Sequence, residues 1–471
     1  MDRRQGAKEQ GGDVGAQEDR GARRPHAIDG AAPARSVARE ILRLALPAFG
    51  SLVAEPLFLL ADSAIVGHLG VAELAGLGLA TTVLQTVVGL MVFLAYGTGP
   101  AVARFLGAGQ AGRAMAAARD GVWLALLLGV VMAAVGWAAA PAVVRAMGAA
   151  PAVQGYAVDY LVWSMPGLVG MLLVYAGTGV LRGLQDTRTP LAVATVGFAA
   201  NAALNFLFVY GFGWGIAGSA IGTSVAQLGM AAVYLAIVVP RMRYEGISLG
   251  PHWGGILSAA HVGSWLMLRT ASLRAAIFAT VVVATAQGAQ NLAAHQLAMT
   301  MFNFLAFALD ALAIAAQSLI GKELGASNAE RARQLTGTMV RWSLGFGVLT
   351  GAALAVAAPW AGWIFTSDPA VHEALTPALL VLAASQPVCG FVFVLDGVLI
   401  GAGDARYLAL AGVLNLVVYG PLLAAVGVSA VAGPAGLAWL WGAFAGGYML
   451  ARALTLGLRA RGSRWMVLGA G

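Results

Sequence analysis

From Ile41 to Leu456 the chain runs in apolar stretches of 20 or more residues, cut by glycine, proline and clusters of charge. As a helix, such a stretch rises about 30 Å, the thickness of a bilayer's hydrocarbon core. A membrane barrel would instead alternate apolar and polar positions in segments of about 10 residues. The stretches are continuous, so the pattern predicts helices. Cutting at the breaks predicts twelve spans: 41–66, 79–100, 121–141, 155–179, 190–210, 215–239, 256–285, 292–320, 338–359, 375–400, 407–430 and 434–457. The first 40 residues are polar, rich in Gly and Arg, and without apolar periodicity, which predicts a disordered tail. They do not read as a signal peptide, because the basic stretch is long and no cleavage site follows a short apolar core.

Composition agrees with this pattern. The chain is 59% hydrophobic and 10% charged, with a mean hydropathy of +0.80, whereas soluble domains are about 25% charged. The net charge of +7 could suggest nucleic acid, but its placement argues otherwise. Of the 28 Lys and Arg residues, 25 fall in the amino-terminal tail, the even-numbered loops or the carboxyl end. Only Arg145 lies in an odd-numbered loop, and Arg269 and Arg274 fall inside span 7. The positive-inside rule then predicts a multi-pass protein of the plasma (inner) membrane with both termini cytoplasmic. The single cysteine, Cys389, reads as a small hydrophobe within a helix.

The chain also repeats itself. "ELAGLGLATT" (73–82) matches "NLAAHQLAMT" (291–300), "RFLGAGQAGRA" (104–114) matches "KELGASNAERA" (322–332), and "GVLRGLQDTR" (179–188) matches "GVLIGAGDAR" (397–406). All three offsets are 218 residues. Two homologous six-helix lobes are therefore predicted, residues 38–245 and 246–458, between cytoplasmic tails 1–37 and 459–471. Six is even, so both lobes insert the same way up, as in parallel-repeat transporters with substrates near the midplane.

Several polar groups fall at membrane depth, where a carboxylate costs from about 2.5 to above 10 kcal/mol. Span 1 carries Glu55 and Asp62, nearly two helical turns apart and on one face, together with Pro47 and Pro56, each of which removes a backbone hydrogen bond and can bend the helix. A bendable helix holding carboxylates suits a gate that responds to protonation. Asn201 and Asn205 share a face of span 5, and Thr223 and Gln227 a face of span 6. These can hydrogen-bond a carboxylate or a substrate, or simply join helices. In span 8, Gln296, Asn303, Asp310 and Gln317 recur every seven residues as a stripe that must face the bundle interior or a wet cavity. Span 10 adds Asp396. Arg269 needs a partner, for which Asp310 and Asp396 are the candidates. Asp186 and Asp404 correspond across the repeat and read as turn structure. The acids inside the spans are not duplicated, so the lobes are predicted to do different jobs.

On "LALPAFGSLVAEPLFLLADSAIVGHLG" (44–70), "GVLRGLQDTRTP" (179–190) and "LDGVLIGAGDAR" (395–406), the chain resembles the multidrug and toxic compound extrusion (MATE) transporters, in their DNA-damage-inducible F-like branch. The resemblance spans about residues 37 to 458. It implies an all-α, V-shaped fold of two six-helix lobes and export of amphiphilic, often cationic compounds driven by H+ or Na+ entry. It implies a cation-coupling role for Asp62, bending at Pro47, and polar roles for Asn201, Asn205, Thr223 and Asp396. Two departures stand out. Asn205 replaces an aspartate found in some relatives, and span 7 has Arg269 and Arg274 where many relatives carry an acid.

The leading expectation is a proton-coupled antiporter working by alternating access. It needs no cofactor beyond the coupling ion, acts as a monomer in the lipid bilayer on small, cationic amphiphiles, and binds no nucleic acid. A lipid-linked precursor flippase of the same superfamily is the alternative, and would want a groove rich in cationic residues. An enzyme or passive channel is the less favoured class. His68, His261 and His295 have no metal-ligand spacing, and "GAGQAG" (107–112) follows no strand, so it is no phosphate loop.

Overall fold

The computed structural model describes residues 34–429, 431 and 433–470; the predicted amino-terminal tail, apart from its last residues, lies outside the described residues. The described backbone is helical, and eleven helices or helix pairs are long and apolar enough to cross a membrane. In order these are α1 (Ala34–Gly67), α2 (Val71–Met91) with α3 (Phe93–Gly107), α4 (Ala111–Ala146), α5 (Pro151–Gly183), α6 (Arg188–Phe206), α7 (Gly215–Tyr244), α8 (Trp253–Ala286), α9 (Ala289–Gly325), α10 (Ala329–Phe365), α11 (Pro369–Gly401) and α12 (Ala405–Val428). The twelfth crossing is composite: α13 (Gly433–Gly442), a π-helical stretch Ala443–Met449, and α14 (Leu450–Arg461). Most predicted spans are shorter than the observed helices, which run on past the apolar windows into their polar ends.

Local chemistry sets the joints. Pro151 and Pro369 open α5 and α11, where a missing N–H costs nothing. The Asn328 side chain accepts from the Arg331 N–H at 3.0 Å, capping α10. Asp186 accepts the N–H groups of Arg188 and Thr189, at 3.1 and 3.0 Å, ahead of α6. Its repeat mate Asp404 takes a different partner, the Arg459 guanidinium of α14 at 2.6 Å. That hydrogen bond raises the pKa of Arg459. α1 runs unbroken through Pro47 and Pro56.

Between helices in lipid, close backbone approach replaces the hydrophobic drive available in water. The repeat shows this directly. A Cβ on Gly179 would come within 2.8 Å of the Ala95 carbonyl, and one on Gly397 within 2.5 Å of the Ala313 carbonyl. Gly183 meets the Gly99 carbonyl as Gly401 meets that of Gln317, at 2.5 and 2.6 Å. Every residue here has its mate at the 218-residue offset. The contact of α3 with α5 in the first lobe is thus built again as α9 with α11 in the second.

The lobes meet where these same helices end. A Cβ on Gly107 would overlap the Lys322 carbonyl, and a Cβ on Gly325 would overlap that of Arg104. These four residues are two repeat pairs, so the seam is reciprocal. Around it the Ser318 hydroxyl donates to the Arg182 carbonyl at 2.9 Å, and the Gln185 amide donates to the Ser318 carbonyl at 2.9 Å. Arg104 donates to the Ala402, Val467 and Gly469 carbonyls. The end of the molecule that carries most of the basic residues is therefore closed.

Candidate functional site

Asp62 lies in the last turns of α1 and is 3% exposed. Three neutral donors from three other helices surround it. The Ser219 hydroxyl of α7 donates to Oδ1 at 2.5 Å, the Asn205 amide of α6 to Oδ1 at 2.8 Å, and the Tyr160 hydroxyl of α5 to Oδ2 at 3.0 Å. Among the described residues no basic side chain pairs with it. Burial penalises the carboxylate charge while the three hydrogen bonds favour it, so its charge is held by groups that carry none.

The Asn205 amide nitrogen also lies 3.4 Å from the hydroxyls of Ser219 and Thr223. Its Oδ1 has no hydrogen-bond partner, nor does that of Asn201, one turn earlier and 2% exposed. Gly222 admits this side chain, since a Cβ there would overlap Asn205 Oδ1. A π-helical turn, Leu207–Gly211, follows α6, and Tyr210 on it donates to the Ile65 carbonyl of α1 at 2.6 Å. Of the predicted first-lobe residues, Asp62, Asn205 and Thr223 come together. Asn201 is adjacent without a bond to Asp62, and the side chain of Glu55 lies outside the described residues. Tyr160 and Ser219 were not predicted. Ser219 carries a signal, one turn before Thr223 on the same face. A tyrosine in an apolar run carries none.

The second lobe holds charge differently. Asp396 of α11, 7% exposed, is clamped by Arg269 of α8, through Nε at 3.1 Å and an ion pair at Nη2. Arg452 of α14 adds a second cation at 3.6 Å. Of the two candidate partners for Arg269, Asp396 is the one bonded to it. The predicted polar stripe on α9 is graded: Gln296 and Asn303 are exposed, Asp310 is half-buried and Gln317 is buried.

Asp310 feels the charges of Arg269, Arg452 and Arg182, and Tyr96 on α3 feels Asp310, Arg269, Arg182 and Arg274. Arg182 lines a first-lobe cavity of about 130 Å³ together with Ser51, Tyr96, Thr178 and Tyr234. Sequence reading assigned Arg182 and Arg452 to the loops and the carboxyl end. The structure instead puts Arg182 on that cavity and buries Arg452 beside Arg269, while Arg274 is exposed.

Known proteins agree with this architecture. The MatE family profile matches residues 47–207 and 270–426. The chain is 27% identical over 433 residues to Protein DETOXIFICATION 45, chloroplastic, of Arabidopsis thaliana, covering 86% of this chain and 75% of that one. It is 30% identical over 432 residues to the probable multidrug resistance protein NorM of Deinococcus radiodurans, covering 88% and 93%. Its fold matches that of a MOP-superfamily transporter from Pyrococcus furiosus with a TM-score of 0.81 at 23% identity, over 92% and 98% of the two chains.

Proposed function

Since the chain belongs to the MatE family of multidrug and toxic compound extrusion transporters, we propose that it is a secondary active exporter of small amphiphiles, coupled to cation entry at Asp62 and working by alternating access. H+ is the favoured ion and Na+ the alternative. The protein acts as a monomer in the inner (plasma) membrane with both termini cytoplasmic, and it transports rather than catalyses. The observation that carries the reading is the buried Asp62 carboxylate, bonded by three neutral donors on three helices.

A proton on Asp62 removes the charge those donors serve and adds a hydroxyl that needs an acceptor. The unpartnered Asn205 Oδ1 is the acceptor at hand, reached by turning the amide over. That exchange rewrites the bonds between α1 and α6–α7, and α1 is the helix weakened by Pro47 and Pro56. A tenfold ion gradient supplies about 1.4 kcal/mol and 100 mV about 2.3 kcal/mol per charge. One proton can thus support a useful substrate gradient. In liposomes loaded with a fluorescent dye, an inward H+ gradient is expected to drive export by the wild type and not by Asp62→Asn. Export that follows Na+ instead changes the ion, and export indifferent to both gradients refutes coupling.

A second reading concerns cargo polarity. Cationic cargo is the expectation from family resemblance, but the bundle holds more basic groups than expected: Arg182 lines a first-lobe cavity, and Arg269 and Arg452 share the carboxylate of Asp396 in the second lobe. That excess favours a substrate with an anionic group, the chemistry a lipid-linked precursor flippase also needs. The Pyrococcus furiosus transporter is itself described as having a binding pocket of reverse polarity that suggests a different function. Competition between anionic and cationic dyes of similar size decides the matter. Preference for the cationic dye by the wild type removes this reading and leaves coupling at Asp62 untouched.

A further inference from the structure

A cavity separate from the one lined by Arg182 takes no part in either site. It occupies about 420 Å³ between α3 and α4 of the first lobe and α8 of the second, within the range of small-ligand pockets. Its lining is ordered along the helices. At one end stand Arg113, the Arg119–Asp120 ion pair, His252 and the first turn of α8; at the other stand Phe93, Leu94, Leu124 and Val262. On α4 and α8 the polar lining lies toward the basic end of the molecule and the apolar lining farther along the helix, while α3 contributes an apolar wall from Phe93 to Phe105 with Thr98 midway. The lined stretch of α3, Phe93 to Phe105, is about 18 Å long, and that of α8, His252 to Gly263, about 16 Å. One leaflet of hydrocarbon is about 15 Å thick.

The charge at the polar end is positive. Arg119 is neutralised by Asp120 at 2.8 Å. Arg113 is not: its contacts are the Gln110 side-chain oxygen at 3.0 Å and the face of Phe105 at 5.3 Å, and among the described residues no acid pairs with it. The N-terminus of α8, where unpaired N–H groups favour an anion, opens on the same end, with His252 as its cap.

We propose that this cavity holds one anionic phospholipid of the leaflet at the basic end, its headgroup against Arg113 and the start of α8 and an acyl chain along the apolar walls. Because the walls belong to both lobes, the lipid bridges α8 to α3 and α4 beside the closed seam. The exported amphiphile has no need of this site, and the inference stands apart from the coupling role of Asp62.

The test is native mass spectrometry of the full chain in detergent, mixed with phosphatidylglycerol or phosphatidylcholine of equal chain length. The wild type is expected to keep one phosphatidylglycerol and to discriminate against phosphatidylcholine. Arg113→Gln, at an exposed position, should cut that discrimination about fivefold, the worth of one basic residue beside anionic lipid. Ala101→Phe, which fills the middle of the cavity, should abolish retention of both lipids. Arg341→Gln, an exposed arginine elsewhere on the basic side, should change nothing. Equal retention of the two lipids by the wild type overturns the proposal. So does an equal effect of Arg113→Gln and Arg341→Gln, or undiminished lipid on Ala101→Phe.

Discussion

The two lobes share a backbone and differ in chemistry at the matched places where their buried acids lie. Moved by 218 residues, the Asp62 site of the first lobe (Asp62, Tyr160, Asn205, Ser219, Thr223) becomes Thr280, Ala378, Leu423, Leu437 and Trp441, all buried. The Thr280 hydroxyl simply meets that of Tyr419 at 2.7 Å. Moved the other way, the second lobe's Arg269, Asp396 and Arg452 become Ser51, Thr178 and Tyr234. Those three line the first-lobe cavity, with Thr178 donating to the Tyr234 hydroxyl at 2.9 Å. Each lobe thus carries an acid where the other is neutral. An acid held by neutral donors can gain or lose a proton without stranding a partner charge. An acid held by two arginines cannot, because protonation would leave buried cations uncompensated. The duplication supplied a scaffold, and divergence left an acid held by neutral donors in one lobe and an acid held by two arginines in the other.

Four measurements would break or sharpen this comparison. The largest effect belongs to Asp62→Asn, which is expected to abolish gradient-driven export in liposomes while leaving thermal stability in detergent close to wild type, because an amide keeps the shape. Asp396→Asn should do the reverse in kind, lowering stability by about 3–5 kcal/mol because two buried arginines lose their counter-ion, read as the unfolding midpoint in detergent. Equal stability losses for the two substitutions would erase the distinction between the lobes.

Gly107→Ala and Gly325→Ala come next. Each sets a methyl against a carbonyl of the other lobe, and overpacking of this sort costs about 1–3 kcal/mol. Both should open the basic-end seam to the same degree, measured by labelling of a cysteine placed at Ala326. Unequal opening would show that the seam is not reciprocal in energy. Tyr160→Phe should give the smallest effect. Removing one of three donors to a charged group is worth about 1.5–3 kcal/mol of the charged form, which should shift the pH at which export is half-maximal without abolishing export.

Much of this was legible along the chain. Continuous apolar runs gave the helices, because in lipid a backbone must satisfy its own hydrogen bonds. A fixed offset gave the duplication, and Asp62 announced itself by the cost of a carboxylate in hydrocarbon. Other features stayed hidden for physical reasons. The π-helical stretch at Ala443–Met449 breaks the twelfth crossing without any polar residue to mark it. The seam glycines, Gly107 and Gly325, look like ordinary helix-end glycines until the opposing carbonyls are in view.

What the sequence determined by itself is everything that depends on period and solvent: which segments span, how many there are, that they form two lobes, and which acids are too costly to be accidental. What only the tertiary structure decided is which groups meet. Asp62 gained Tyr160 and Ser219 from helices about 100 and 157 residues away, and Asp396 gained Arg269 and Arg452. Arg182 and Arg452, which charge counting sends to the membrane surface, turned inward. Burial and partnership are properties of neighbours in space, and a hydrophobic pattern records only that a face is covered, not by what.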